Sequence, residues 1–164
     1  MKHQIVRNIA LALLALGLAA TASAQGHHTC SIARVAGTWG YSLQGTFFPP
    51  NPAGGTLTVL VAFVGTYTVD EDGSLSGTQT SNANGTVSHD VLKGKLTMNP
   101  DCTGTQTVNI YDQSGTTLLR TAVWAVVFMD DAKVVRGTFE SLKLPNGTVV
   151  PAIAIADGKK AGRL

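Results

Sequence analysis

The sequence has 164 residues, only 13% of them charged, with 12 Lys and Arg against 10 Asp and Glu. Two of the basic residues, Lys2 and Arg7, lie in the first 24 positions, so the rest of the chain carries ten charges of each sign (12 − 2 = 10 against 10). A neutral chain of this size fits one domain and excludes a protein that binds nucleic acid through a basic surface, so we predict no nucleic-acid partner.

The N-terminus has the pattern of an export signal. Lys2 and Arg7 precede an apolar run over residues 9–20, and Ala22-Ser23-Ala24 matches the small-residue pattern that precedes a cleavage site. The run is too short to span a membrane, which takes about 20 residues. We therefore predict a signal peptide over 1–24, an N-terminal leader over 25–35, and a secreted or periplasmic protein.

The leader contains the one candidate metal site. Cleavage after Ala24 would leave Gln25-Gly26-His27 at the new N-terminus, where an amine, backbone nitrogens and an imidazole could bind Cu(II) or Ni(II). An N-terminal glutamine readily cyclises, however, which blocks the amine. A flexible polar leader is the simpler interpretation, and we predict neither a metal site nor a cofactor.

Cys30 and Cys102 are the two cysteines of the chain. An even number of cysteines in an exported protein favours a disulfide over two free thiols. A bridge that closes such a long loop would contribute roughly 4 kcal/mol to stability in the chain-entropy model.

Turn-forming sequences divide the chain after residue 36 at regular intervals. Asp72-Gly73, Asn84-Gly85 and Asn146-Gly147 are typical of hairpin turns, which require positive backbone angles. Seven turns separate eight segments that we predict as strands, approximately 36–48, 56–69, 74–81, 86–98, 103–111, 116–129, 133–142 and 148–156.

Apolar and polar side chains alternate within these segments. Val59, Val61 and Phe63 share one face of a segment in which Thr58 lies on the other, as in a sheet with one buried face. Eight consecutive strands avoid exposed edges best by closing on themselves. We therefore predict an all-β fold, a single closed eight-stranded antiparallel up-and-down barrel over residues 36–158, with a C-terminal tail over 159–164.

An outer-membrane barrel would show the same alternation, but it also needs aromatic girdles and an apolar band facing lipid. The chain has only 10 aromatic residues (2 Trp, 3 Tyr and 5 Phe), and threonines occupy one face of several strands. We predict no membrane insertion of the mature chain. Segment 122–129 is apolar on both faces, which leaves open a cover by a loop or by a neighbouring subunit in a homo-oligomer.

Several motifs resemble a known group of proteins. They are Cys30-Ser31, residues 37–45 (GTWGYSLQG), 65–70 (GTYTVD), 72–77 (DGSLSG) and 99–105 (NPDCTGT), the last being the most distinctive. The chain resembles small secreted bacterial proteins of the allene oxide cyclase-like group, whose fold is a calycin-like barrel. The resemblance implies the barrel and transfers no catalytic residue, because the catalytic positions of the plant cyclases do not match residues here.

Signatures of catalysis are absent from the sequence. His89 is the only histidine after the leader, and its neighbour Asp90 points to the opposite face of a strand, so the two cannot pair directly. The simplest interpretation of His89 is a surface residue near a turn. Catalytic residues therefore stay unknown at this point.

The interior of the barrel is the remaining place for a site. Apolar walls with a few polar groups are typical of small-molecule sites, and the period of two places such residues inside. The candidate ligand-binding residues are Tyr41, Phe63, Tyr67, Gln79, Asp90 and Gln106. Eight strands can also fill their interior with side chains, which would leave the polar residues idle at the barrel ends.

Three functions are compatible with this reading. The first is a barrel that binds a small apolar molecule or acts as an interaction module. The second is a cyclase or isomerase of the allene oxide cyclase or dirigent kind, which needs few catalytic groups. The third is a structural surface protein with a packed interior. A ligand-sized cavity favours the first, an acid or base beside the cavity the second, and a filled interior the third.

Overall fold

The computed structural model describes residues 29–162, so the predicted signal peptide and most of the leader lie outside the described residues. A one-turn helix precedes eight strands. In chain order they are α1 (Ile32–Val35), β1 (Gly37–Phe47), β2 (Val59–Val69), β3 (Ser74–Ala83), β4 (Thr86–Met98), β5 (Thr103–Tyr111), β6 (Leu118–Met129), β7 (Val134–Lys143) and β8 (Ala152–Lys160).

The eight strands form one closed antiparallel barrel. Each strand pairs with the next in sequence, and β8 closes the barrel against β1, where Leu43 lies opposite Ala156. The predicted fold class, with its up-and-down order, is therefore confirmed. Across residues 29–162 no helix has both the length and the apolar character needed to cross a membrane.

The last strand differs from the predicted segment 148–156. Residues 148–151 belong to a connection in which Val149 bridges to Lys143, and β8 begins only at Ala152. At its other end, β8 continues through Lys159 and Lys160, which pair with Gly40 and Trp39. The predicted C-terminal tail over 159–164 therefore overlaps the end of β8, because β8 pairs with β1 as far as Trp39 when the barrel closes.

The helix and a disulfide seal one end of the barrel, which we call the lower end. The Trp39 ring is fully buried there, and its Nε1 donates a hydrogen bond to the carbonyl oxygen of Val35 at 2.9 Å. A disulfide joins Cys30 to Cys102, which confirms the predicted bridge. The leader thus ends in a plug that packs against the barrel.

The opposite, upper end is formed by the connections at 48–58, 84–85, 112–117 and 144–151. No helix covers this end within the described residues, and the side chains of Phe47, Val59 and Val150 surround a depression in it. The two ends therefore differ: the lower one is plugged, and the upper one is open to solvent.

The outer face of the barrel carries some exposed apolar side chains. Leu60 on β2 is 63% exposed and Ile153 on β8 is 73% exposed, on the two strands that flank β1. On β6, Val127 and Met129 are partly exposed, so the second apolar face of segment 122–129 meets solvent in the single chain. Association into a homo-oligomer stays a prediction.

Candidate ligand-binding site

An internal cavity of about 70 Å³ lies within the barrel. Its wall is mostly apolar, with contributions from Leu75, Leu92 and Ile110, and the polar atoms come from a few side chains. Five of the six residues predicted for the interior line this cavity: Tyr41, Phe63, Tyr67, Gln79 and Gln106. That they contact a ligand stays a prediction.

A second cavity, which we call the mouth, opens at the upper end and measures about 220 Å³. Apolar side chains from β1, β2 and the 144–151 connection form most of its wall, and Ser81, Ser88 and Arg120 supply the polar groups. Phe63, Arg120 and Leu142 line both the mouth and the internal cavity. These three residues form the partition between the two cavities.

Asp90 lies beside this wall and not on it, because its carboxylate is enclosed by hydrogen-bond donors. Its Oδ2 accepts from the Ser81 hydroxyl at 2.6 Å, the Gln79 amide at 2.8 Å and Arg120 Nη2 at 2.9 Å. Its Oδ1 accepts from the Ser88 hydroxyl at 3.1 Å. The side chain is 1% exposed, so these partners replace water for a buried carboxylate.

The charge of Asp90 is stabilised despite its burial. Burial opposes ionisation, but the hydrogen bonds from Ser81 and Gln79 and the nearby charge of Arg120 outweigh it, so the pKa of Asp90 lies below its usual value. The residue is therefore an anion near neutral pH. Its charge is matched by the guanidinium of Arg120, and together they form a compact ion pair at the cavity wall.

Arg120 is held in place from two sides. Its Nη2 contacts Asp90, and the centre of the guanidinium lies 5.7 Å from the centroid of the Phe63 ring, in the range of a cation–π contact. Arg120 lies opposite Ile110, next to a bulge at which the β5–β6 register shifts. A bulge re-aims the neighbouring side chains, and Arg120 is aimed at the partition.

Two tyrosine hydroxyls enter the interior below the partition. The Tyr41 hydroxyl donates to Oε1 of Gln79, which links the tyrosine to the group around Asp90. Burial raises the pKa of Tyr67 to about 12, and a hydrogen bond with Gln106 opposes part of that rise. Burial, the neighbouring Tyr67 and the charge of Asp90 likewise raise the pKa of Tyr41. Both phenols are therefore neutral at physiological pH.

The arrangement fits binding better than proton transfer. A general acid or base needs a pKa near the operating pH and access to the substrate, whereas Asp90 is fully hydrogen-bonded and both tyrosines have high pKa values. His89 is exposed, as the sequence indicated, and its Nδ1 lies within hydrogen-bond distance of the Thr80 hydroxyl, at 3.3 Å. Residues 29–162 hold no group of three or more His, Cys, Asp or Glu side chains able to bind a metal ion.

Sequence reasoning did not identify Arg120, Ser81 or Ser88 as site residues. The two serines lie two positions from Gln79 and Asp90, so the alternation that placed those residues inside could have found them. Arg120 lies two positions before Ala122, on the same face as Trp124. That signal was ambiguous because segment 122–129 is apolar on both faces.

Similarity to known proteins is found at the level of structure and not of sequence. The sequence matches no protein-family model, and no curated protein matches it. Among solved structures, the S-type phycobiliprotein lyase CPES from Guillardia theta is similar, with a TM-score of 0.39 and 14% sequence identity. That match covers 81% of this chain and 92% of the lyase. A likeness this distant carries no functional conclusion, and the barrel assignment follows from the strand pairing itself.

Proposed function

We propose that this chain is an exported protein that binds a small, predominantly apolar molecule in the mouth and interior of its barrel. The observation that carries the proposal is the pair of mostly apolar cavities, mouth and interior, which adjoin at the side chains of Phe63, Arg120 and Leu142. Small-molecule sites commonly combine apolar walls with a few placed polar groups.

The sizes of the cavities define how a ligand fits. The internal cavity of about 70 Å³ has room for a few water molecules, while the mouth, at about 220 Å³, is the larger space. A ligand therefore occupies the mouth first and reaches the interior when the partition side chains move. In the alternative structural role, the partition stays closed and the interior acts only as a packed core.

A dye that fluoresces in apolar surroundings tests this proposal. We expect it to bind the purified protein with one-to-one stoichiometry and to lose affinity in Ala83→Phe, because Ala83 lines the mouth and its enlarged side chain would fill it. Ala62→Phe is the matched control, since Ala62 is exposed on the outer face of β2. Dye binding that is absent from the parent, or equally strong in Ala83→Phe, would reject the proposed site.

Gly65 adjoins Phe63 and Tyr67 along β2, so a larger residue there would be the obvious way to fill the interior. The strand pairing does not allow that substitution. A Cβ atom at Gly65 would lie 2.4 Å from the carbonyl oxygen of Thr78 on β3. Any larger residue there would separate two paired strands, so lost binding would report a damaged barrel. Ala83 avoids this problem because it lines the mouth and already carries a Cβ atom that its pairing with Val61 accommodates.

Export is the second part of the proposal. The Cys30–Cys102 disulfide is compatible with an oxidising compartment, and the predicted signal peptide precedes it in sequence. We expect the mature protein to begin at Gln25, in part as pyroglutamate, when it is recovered from outside the cytoplasm. Intact-mass measurement checks this, and a retained Met1 in the exported protein would contradict it.

A further inference from the structure

We propose that the ligand meets Arg120 through an uncharged oxygen acceptor, such as the carbonyl of a ketone, ester or amide, and that the site selects against the matching carboxylate. This inference rests on the proposed function, because it specifies the chemistry of a ligand bound in the same two cavities. It follows from which hydrogen-bond donors are free and from how the charges balance.

Arg120 supplies the donors that remain for a ligand. A guanidinium carries five N–H groups, and the acceptor recorded for Arg120 among residues 29–162 is Asp90, reached from Nη2 alone. The Arg120 side chain is 20% exposed and lines both cavities, so its other N–H groups border the space that a ligand would enter. An oxygen placed at the partition would therefore receive a hydrogen bond.

The two serines at the mouth are already occupied. Ser81 and Ser88 line the mouth, but each donates its hydroxyl proton to the Asp90 carboxylate. Deeper in the barrel, the Tyr41 hydroxyl donates to Gln79, whose amide donates in turn to Ser81 and Asp90. Among the described residues, Arg120 is thus the strongest donor at the partition with N–H groups that are not all bonded to protein acceptors.

The positive charge of Arg120 is already balanced within the protein, although some of its N–H donors are still available to a ligand. Asp90 neutralises it at 2.9 Å, and Arg120 is the only charged residue among the described residues that line the mouth. Asp157 reaches the wall of the internal cavity, but its carboxylate accepts from Arg136 in an exposed ion pair. A ligand carboxylate would therefore leave one uncompensated negative charge at the partition, where Arg120 is only 20% exposed and Asp90 is buried, and a charge without a partner is costly there. A carbonyl oxygen accepts the same hydrogen bond and adds no charge.

Titration of the parent protein with methyl octanoate and with octanoate tests the inference, because the two probes share one acyl chain. Displacement of the apolar dye at pH 7.5 reports both affinities. We expect octanoate to bind at least about tenfold more weakly than the ester, in line with the cost of an unpaired charge. Lowering the pH until octanoate is protonated should narrow that gap, while the affinity for the ester stays constant.

The variant Asp90→Asn provides a sharper test, because it removes the matching charge and keeps the shape of the site. Its carbonyl oxygen can accept the bonds that Asp90 Oδ2 accepts, and its amide can donate to Ser88, whose hydroxyl rotates. Arg120 then carries a net positive charge at the partition. We expect the preference to reverse, so that octanoate binds more tightly than methyl octanoate.

The outcomes separate this inference from the proposed function. Tighter binding of octanoate by the parent, or an unchanged preference in a folded Asp90→Asn variant, would overturn the neutral-acceptor inference and leave ligand binding intact. If Asp90→Asn does not fold, the pH series on the parent decides alone, and a gap that persists after octanoate is protonated would overturn the inference. Failure of the dye and of both probes to bind would overturn the proposed function itself.

Discussion

The lower and upper halves of this barrel are built from the same eight strands with the same alternation, yet their interiors differ. The lower half is closed by α1 and the disulfide, and its buried aromatics Trp39 and Phe128 pack edge to face at 5.3 Å. The upper half contains a buried ion pair, the buried Ser81 and the mouth, and the internal cavity extends from there towards the lower end at Leu75 and Val135. The comparison indicates that one end stabilises the fold while the other can hold a site.

Physical chemistry explains why these roles separate. Close apolar packing stabilises a core but leaves no space, whereas a binding site needs unfilled volume and polar groups that have been taken out of water. Asp90 has its full set of partners because an unpaired buried carboxylate would be costly. The lower half offsets the cost of that arrangement through its plug and its aromatic packing.

The largest expected effect contrasts two aromatic residues on β1. Trp39→Ala should lower the free energy of unfolding by about 3–5 kcal/mol, because it leaves a cavity in the packed lower half and removes the bond to Val35. Phe47→Ala is the counterpart at the open mouth and should cost less. Urea unfolding measures both, and an equal or larger loss for Phe47→Ala would contradict the comparison.

The second prediction concerns the disulfide that holds the plug. Replacing both Cys30 and Cys102 by Ser should lower the free energy of unfolding by roughly 2–4 kcal/mol, because the unfolded chain regains the entropy of an open loop. Dye binding by the folded variant should be unchanged, since the bridge lies at the end remote from the mouth. Weakened binding at equal folded fraction would show that the two halves are coupled.

Alkaline pH should affect the boundary between the halves, where Tyr67 contacts both Trp39 and Tyr41. The pKa of Tyr67 is raised to about 12, so the folded state favours the neutral phenol. Its contribution is complete below pH 10 and is lost as the pH rises towards 12, by about 2–3 kcal/mol at about 1.4 kcal/mol per pH unit. In unfolding curves, Tyr67→Phe should therefore lose less free energy of unfolding between pH 10 and 12 than the parent protein does. An equal loss in the two proteins would contradict the prediction.

The smallest expected effect is at acid pH and belongs to the upper half. The pKa of Asp90 is lowered in the folded protein, so its stabilising contribution is present above the usual pKa of an aspartate and is lost as the pH falls towards the folded value. Asp90→Asn should therefore flatten the acid limb of a stability profile. Glu71→Gln is the control, because Glu71 is an exposed residue of the turn before β3. Equal flattening by both variants would contradict a special role for Asp90.

Much of the architecture could be predicted because it depends on local patterns. The period of two and the turn sequences gave the number of strands, and seven of the eight strands lie close to the predicted segments. The last strand was misplaced because an apolar residue such as Val149 is typical of a strand, whereas a charged residue such as Lys159 is typical of a solvent-exposed tail. Their pairing is decided by β1, which is more than one hundred residues away in sequence.

The candidate site could be predicted only in part. Alternation identified Gln79, Asp90 and Gln106 as polar residues of the interior, but it could not show that Asp90 is enclosed by donors while Gln106 lines the cavity. Arg120 was missed because its strand is apolar on both faces and a bulge adjoins it. Which face of β6 turns inward depends on its neighbours β5 and β7.

The sequence by itself determined the strand order, the closure that eight consecutive strands favour and the pairing of two cysteines, because each follows from local pattern or from a count. Only the tertiary structure decided that Arg120 meets Asp90 at 2.9 Å across two strands that are not adjacent in the barrel. It also decided that the interior leaves two cavities and does not fill completely. Such distances depend on how all eight strands coil together, and that is a property of the closed barrel that no single segment carries.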